Sequence, residues 1–157
     1  MKHTKTNAVR ILESHNIPFS KHSYEVNKDD LSGTAVAQKI GAAADSVFKT
    51  LVARGDKNGI NVFCIPVTLE LNLKKAASAS GNKKIEMVKM KELFDLTGYV
   101  RGGCSPIGMK KNYPTYIDET ARLFDEIYVS AGIRGMQVKI KPNVLLELIN
   151  ASLAELD

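Results

Sequence analysis

The chain has 157 residues, one domain's worth of sequence and enough to bury a single core without disulfide or metal staples. With 44% hydrophobic and 25% charged residues it falls outside the disordered and collagen-like classes, and its longest apolar runs (61–67 and 144–149) are far shorter than the roughly 20 residues of a membrane span. A net charge of +5 suits a polyanionic partner without requiring one, and the polar start of the chain lacks a signal peptide's apolar core, so the expected location is the cytoplasm.

Thr4 or Thr6 is placed to cap a first helix whose apolar residues Ala8, Ile11 and Leu12 recur at helical spacing, with residues 16–18 as its stop. Residues 19–26 read as a strand. Thr34 then caps a short helix through Val36, Ala37 and Ile40 that halts at Gly41. Residues 47–53 and 61–67 are β-rich runs joined as a hairpin across 55–59. An alanine-rich helix over 73–80 ends at Gly81, a short strand covers 85–88, and a helix over 89–96 is closed by Gly98. Beyond a loop at 98–109, strands are predicted at 115–118, 126–130 and 136–141, and Pro142 opens a last amphipathic helix. Without a regular βαβ alternation, the fold class is α+β: a single compact domain over 1–157, built on a mixed, mostly antiparallel sheet.

Charge is concentrated in the middle. Residues 74–111 hold nine basic against three acidic side chains, so this segment is +6 and the remainder −1. The pairs Lys74–Lys75, Lys83–Lys84 and Lys110–Lys111 could converge on a phosphate-facing surface, or could serve solubility alone.

The residue types that run most hydrolases are missing from the places where they would act. All three histidines lie in the first 22 residues, and no His, Cys or carboxylate pair has metal-ligand spacing, so neither a histidine triad nor a metal or other cofactor is expected. Cys64 and Cys104 form no CxxC pattern, and Cys64 reads as a buried reduced thiol. The unusual feature is the run Gly98-Tyr99-Val100-Arg101-Gly102-Gly103-Cys104-Ser105-Pro106-Ile107-Gly108. Its glycines let backbone N–H groups approach a ligand and bind a phosphate, a carboxylate or a developing oxyanion, although such turns are more often plain connections. A second glycine site at 130–135 has a bulged hairpin as its ordinary reading. Lys49 is a lone cation in an apolar strand; it is either solvated or held in a cleft against an anion or an electron-rich oxygen.

Together these segments resemble the YbaK family, also called EbsC-like, of Cys-tRNA(Pro) deacylases. The residues that carry the likeness are Val47 through Leu51, Thr97 through Gly108 with Lys110 and Lys111, Pro114 through Asp118, Ile127 through Ser130, and Arg134-Gly135. The family's GxxxP motif falls on Gly102 and Pro106, and its activity-linked lysine on Lys49. The resemblance implies a β-barrel-like sheet flanked by helices. It implies catalytic parts for Lys49, Gly102, Gly103 and Ser105, and substrate contacts for Tyr24, Thr50, Pro106, Ser130, Gly132 and Arg134. Gln137 departs from the pattern, since some relatives have an acidic residue near the site there.

By the same resemblance, the substrate is mischarged Cys-tRNA(Pro), with Cys-tRNA(Cys) as a further one, and prolyl-tRNA synthetase is a partner. The bound cysteine's thiol attacks its own ester and leaves as a cyclic thioester, so the protein supplies a mould rather than a nucleophile. Lys49 would orient the amino acid or terminal ribose while N–H groups of 102–105 hold the oxyanion. Three alternatives stay open: a deacylase for another small amino acid such as alanine, with water as nucleophile; a non-catalytic tRNA-binding regulatory module; and, more remotely, a thiol oxidoreductase using both cysteines.

Overall fold

The computed structural model describes residues 5–157, so His3 and the alternative cap Thr4 lie outside the described residues. The first helix, α1 (Asn7–Ser14), is capped by Thr6, whose hydroxyl accepts from the Val9 N–H. It buries Ala8, Val9 and Leu12, the face that the sequence spacing marks as apolar. Asn16, at φ 54, ends the helix and turns the chain. The strand expected at 19–26 is only four residues long, β1 (Ser20–Ser23). Beyond it Asn27 and Asp30 fold the chain into side-chain-to-backbone turns that compete with sheet pairing. Helix α2 (Gly33–Lys39) starts one cap earlier than predicted, with Ser32 rather than Thr34 accepting from the Ala35 N–H.

Strands β2 (Phe48–Gly55) and β3 (Gly59–Pro66) form the predicted antiparallel hairpin. Helix α3 (Leu73–Ser80), capped by Asn72, ends at Gly81 with φ 76, a conformation that glycine adopts without the Cβ penalty. Then come β4 (Ile85–Met87), α4 (Met90–Thr97), β5 (Thr115–Asp118), β6 (Ile127–Ser130), β7 (Met136–Ile140) and α5 (Pro142–Leu148). The expected final helix is followed by a short strand, β8 (Ser152–Ala154), which pairs in parallel with β5. Asp118 ties that end down: its carboxylate accepts from the Leu156 N–H and from Thr120.

Two sheets result, an antiparallel β1-β7-β6 and a mixed β4-β2-β3-β5-β8, joined by a lone parallel bridge between Val47 and Tyr128. They enclose the main core, to which both sheets contribute: Phe48, Val52 and Val62 from one, Ile127, Val129 and Val138 from the other, with α1 and Leu145 of α5 packed against them. The opposite face of β2 and β3 presents Ala53, Phe63 and Ile65 to Ala76 and Ala77 of α3. This is the expected α+β, barrel-like domain with flanking helices. Among the described residues no helix is long and apolar enough to cross a membrane.

Candidate active site

The site arises where the barrel wall is incomplete. Strand β2 is bridged to β6 only through Val47, the residue that precedes it, and is paired with β4 only from Ala53 onward, so one edge of the strand is unpaired between those points. Val52 gives its carbonyl to the Val88 N–H on that edge. By the two-residue period of a strand, Thr50 turns its backbone N–H and C=O to the same side, into the gap. The same period sends Phe48 and Val52 to the main core and Lys49 and Leu51 to the other face. At the gap both faces are accessible, and a cleft of about 420 Å³ is lined by Lys49 and Thr50 together.

Four segments complete it: Leu31 to Thr34 at the start of α2, Val67 after β3, Arg101, Gly102 and Cys104 from the long loop, and Ser130 with Gln137 across β6 and β7. The two cations Lys49 and Arg101 line the cleft, and among the described residues no carboxylate or histidine does. Lys49 is half-buried and forms no ion pair among the described residues, so an anionic or electron-rich ligand is what would complete it. Gln137 is 6% exposed and its Oε1 is enclosed without a hydrogen-bond donor. A buried acceptor left bare costs about 1–3 kcal/mol.

Both cysteines are free thiols and buried. Burial pushes the Cys104 thiol up to about 11, against a smaller opposing effect from its contact with Thr97. Burial likewise pushes Cys64 up to about 12, with the Thr50 hydroxyl 3.8 Å away opposing the shift. The Ser130 hydroxyl accepts from the Gly132 N–H. Serine and threonine hydroxyls are weak nucleophiles without a neighbouring base, and the cleft lining supplies no histidine or carboxylate for the purpose.

The glycine loop is held rigidly. Tyr99 donates its hydroxyl to the Ile107 carbonyl at 2.6 Å and packs against Gly132, where an added Cβ would lie 2.8 Å from its ring. Arg134 donates from Nε to the Arg101 carbonyl, and a Cβ on Gly103 would meet the backbone of Ile133 and Arg134 at 2.9 Å. The loops at 98–109 and 130–135 are therefore pressed together, which explains why both are glycine-rich.

Of the residues singled out from sequence, the cleft gathers Lys49, Thr50, Gly102 and Ser130. Gly103 does not line it, and its N–H is already given to the Val100 carbonyl, so the expected oxyanion donor at 103 is corrected to a turn residue. Ser105 is wholly buried and its hydroxyl accepts from the Ile107 N–H, a turn-forming role in place of the expected catalytic one. Pro106 lies on the far side of the loop, in a hollow with Asn7 and Ile11. Gly132 and Arg134 shape the loop pair from behind. Tyr24 lines a small adjoining hollow with Gly102 and Arg134. Arg101, Cys104 and the segment 31–34 also line the cleft; the first two lie within the glycine-rich run but were not singled out as substrate contacts, and no motif marks 31–34, which the fold brings in from a separate part of the chain. None of the three lysine pairs lines the cleft, and Lys75 is engaged with Glu155.

The aminoacyl-tRNA editing domain family matches residues 31–148, which hold all of the cleft lining. A protein of Enterococcus faecalis, provisionally named Cys-tRNA(Pro)/Cys-tRNA(Cys) deacylase EbsC, is 49% identical over 152 residues, covering 97% of this chain and 93% of its own. The chain is also 24% identical over 111 residues to YwhH of Bacillus subtilis, an uncharacterised protein, covering 71% of this chain and 70% of that one. Among solved structures, a protein provisionally described as a trans-editing enzyme for prolyl tRNA synthetase superposes with a TM-score of 0.83 at 26% identity, covering 99% of each chain.

Proposed function

Because the chain belongs to the aminoacyl-tRNA editing domain family, we propose that it is a trans-editing hydrolase that removes cysteine from mischarged tRNA(Pro), and from Cys-tRNA(Cys), by letting the cysteine cut its own ester. The similarity to a structure described as a trans-editing enzyme for prolyl tRNA synthetase supports delivery of the tRNA by that synthetase.

The observation that carries this reading is a cleft with two cations, an open strand edge and no activated nucleophile. An aminoacyl ester is already an activated carbonyl, so a site that orients it and stabilises charge on its oxygen is sufficient. The substrate's sulfur attacks its own carbonyl carbon, forming a C–S bond as the bond to the ribose oxygen breaks. The thiol proton goes to that departing oxygen through solvent, and water then opens the cyclic thioester. The ammonium of Lys49 offsets negative charge on the carbonyl or ribose oxygen, while the N–H groups of Thr50, Gly102 and Cys104 remain as donors. A thiol ionises at about 8.5, far below any aliphatic hydroxyl, so serine fits such a site without being cleaved from it.

The test compares the release of cysteine, alanine, serine and proline from tRNA(Pro) by the wild-type protein and by Lys49→Ala. Fast release of cysteine alone, abolished in the variant while its melting profile is unchanged, is the expected result. Alanine released as fast as cysteine would mean that water is the nucleophile and would overturn the thiol mechanism.

A further inference from the structure

The scissile ester ends on the terminal ribose of the acceptor strand, so the base of that nucleoside lies one sugar away from the cleft. Only surfaces that adjoin the cleft can receive it. Two hollows do. One, where Tyr24 meets Arg134, encloses about 10 Å³, which is too small for a base. The other is a groove of about 330 Å³ between β2, β4 and α4, which shares Thr50, Leu51, Arg101, Gly102 and Cys104 with the cleft.

The groove's own walls are Val52, Met87, Val88, Met90 and Leu93, and its charged lining residues are Lys89 and Arg101, with no carboxylate among them. Of the eight large apolar side chains exposed among the described residues, four lie between 87 and 100: Met87 (40%), Met90 (62%), Phe94 (54%) and Val100 (46%). The Lys110 ammonium stands 5.0 Å from the centre of the Phe94 ring. A soluble domain seldom collects apolar groups on its surface in this way without a ligand for them, and a soft methionine wall bordered by cations matches an aromatic base attached to a phosphate.

We propose that this groove seats the terminal adenine of the tRNA acceptor strand, stacked against Met87, Met90 and Leu93, with Lys89 and Arg101 facing the neighbouring phosphate. The proposal deepens the editing reading: it locates the substrate's last nucleoside and assigns the basic middle segment a direction of approach through Lys89 and Arg101 rather than through the lysine pairs.

The experiment measures binding, which separates it from the chemistry. An uncharged acceptor-stem minihelix ending in adenosine, and the same RNA with an abasic terminal nucleoside, are titrated by fluorescence anisotropy into wild type and into Met87→Ser/Met90→Ser. Loss of the base should weaken binding to wild type by about fivefold or more, about 1 kcal/mol. The variant, whose exposed substitutions leave the thermal midpoint unchanged, should bind both RNAs equally, at the wild type's abasic level. Equal affinity of wild type for the two RNAs, or full discrimination retained by the variant, overturns the proposal and leaves the groove to another occupant such as a protein partner. If wild type discriminates the RNAs yet releases no amino acid, the editing reading fails while the adenine site stands.

Discussion

Gln137→Met should raise stability and lower activity at once, a combination that a purely structural residue does not give. Gln137, the second residue of β7, is 6% exposed, and its Oε1 is enclosed with no hydrogen-bond donor. Such an acceptor carries its full desolvation penalty, about 1–3 kcal/mol, until a ligand supplies the missing bond. Methionine has the same reach and nothing to satisfy, so the variant should gain about 1–2 kcal/mol. For a chain of this size that raises the melting midpoint by roughly 2–8 °C. The substrate meanwhile meets a cleft wall that has lost its polar amide, which lowers kcat/KM by up to about tenfold. Circular-dichroism melts and steady-state deacylation on the same preparation read both numbers. A lower midpoint with unchanged KM would refute the reasoning, since it would mean that the amide is satisfied inside the folded protein.

Cys104→Ala should keep most deacylase activity, because a thiol pushed up to about 11 by burial is not a nucleophile at neutral pH; loss of activity would point to a protein thiolate. The two raised thiols also set an alkaline limit. Above the ordinary value of 9.0 the unfolded chain has released protons that the folded chain retains up to about 11 at Cys104 and about 12 at Cys64. Stability is therefore at its full value below about pH 9 and falls as pH rises through that window, and urea midpoints at about pH 8 and about pH 10.5 should differ less in Cys104→Ala than in wild type. Gly103→Ala should destabilise the fold by at least about 1–3 kcal/mol and abolish activity, since its Cβ would lie 2.9 Å from the backbone of Ile133 and Arg134. Gly59→Ala, at φ 79 with open space around it, carries only the cost of its turn conformation and should leave activity intact.

Much of the fold is legible because periodicity and punctuation agree. Ala8, Leu12 and the Thr6 cap mark α1, and Gly81 and Gly98 end α3 and α4 where the glycines stand. Strand β8 is illegible because Ser152 to Ala154 has no alternation; the strand exists through its neighbour β5 and through Asp118. The same division runs through the site. Lys49 and the glycine loop are visible as local anomalies, a cation in an apolar strand and an excess of backbone freedom. The parts within the loop are not, since Gly102 and Gly103 are the same letter and only the hydrogen bond to Val100 separates a free donor from a spent one.

Sheet topology, more than any motif, makes a lysine tolerable here. Lys49 stands opposite Ile65, and in a fully paired wall it would be carried with Leu51, Ala53 and Phe63 into the packing against α3. Its charge would then have to be buried or its strand shifted by one residue, which would expose the entire apolar set. The gap between the Val47 bridge and the start of β4 removes that conflict: the ammonium reaches the cleft, and the unpaired backbone of Thr50 lies beside it. The two features that a mould for an ester requires, a cation and free N–H groups, thus come from a single local defect in pairing. The glycine loops need only close over it, and their mutual contacts through Tyr99, Gly103 and Arg134 hold them in place before any substrate arrives.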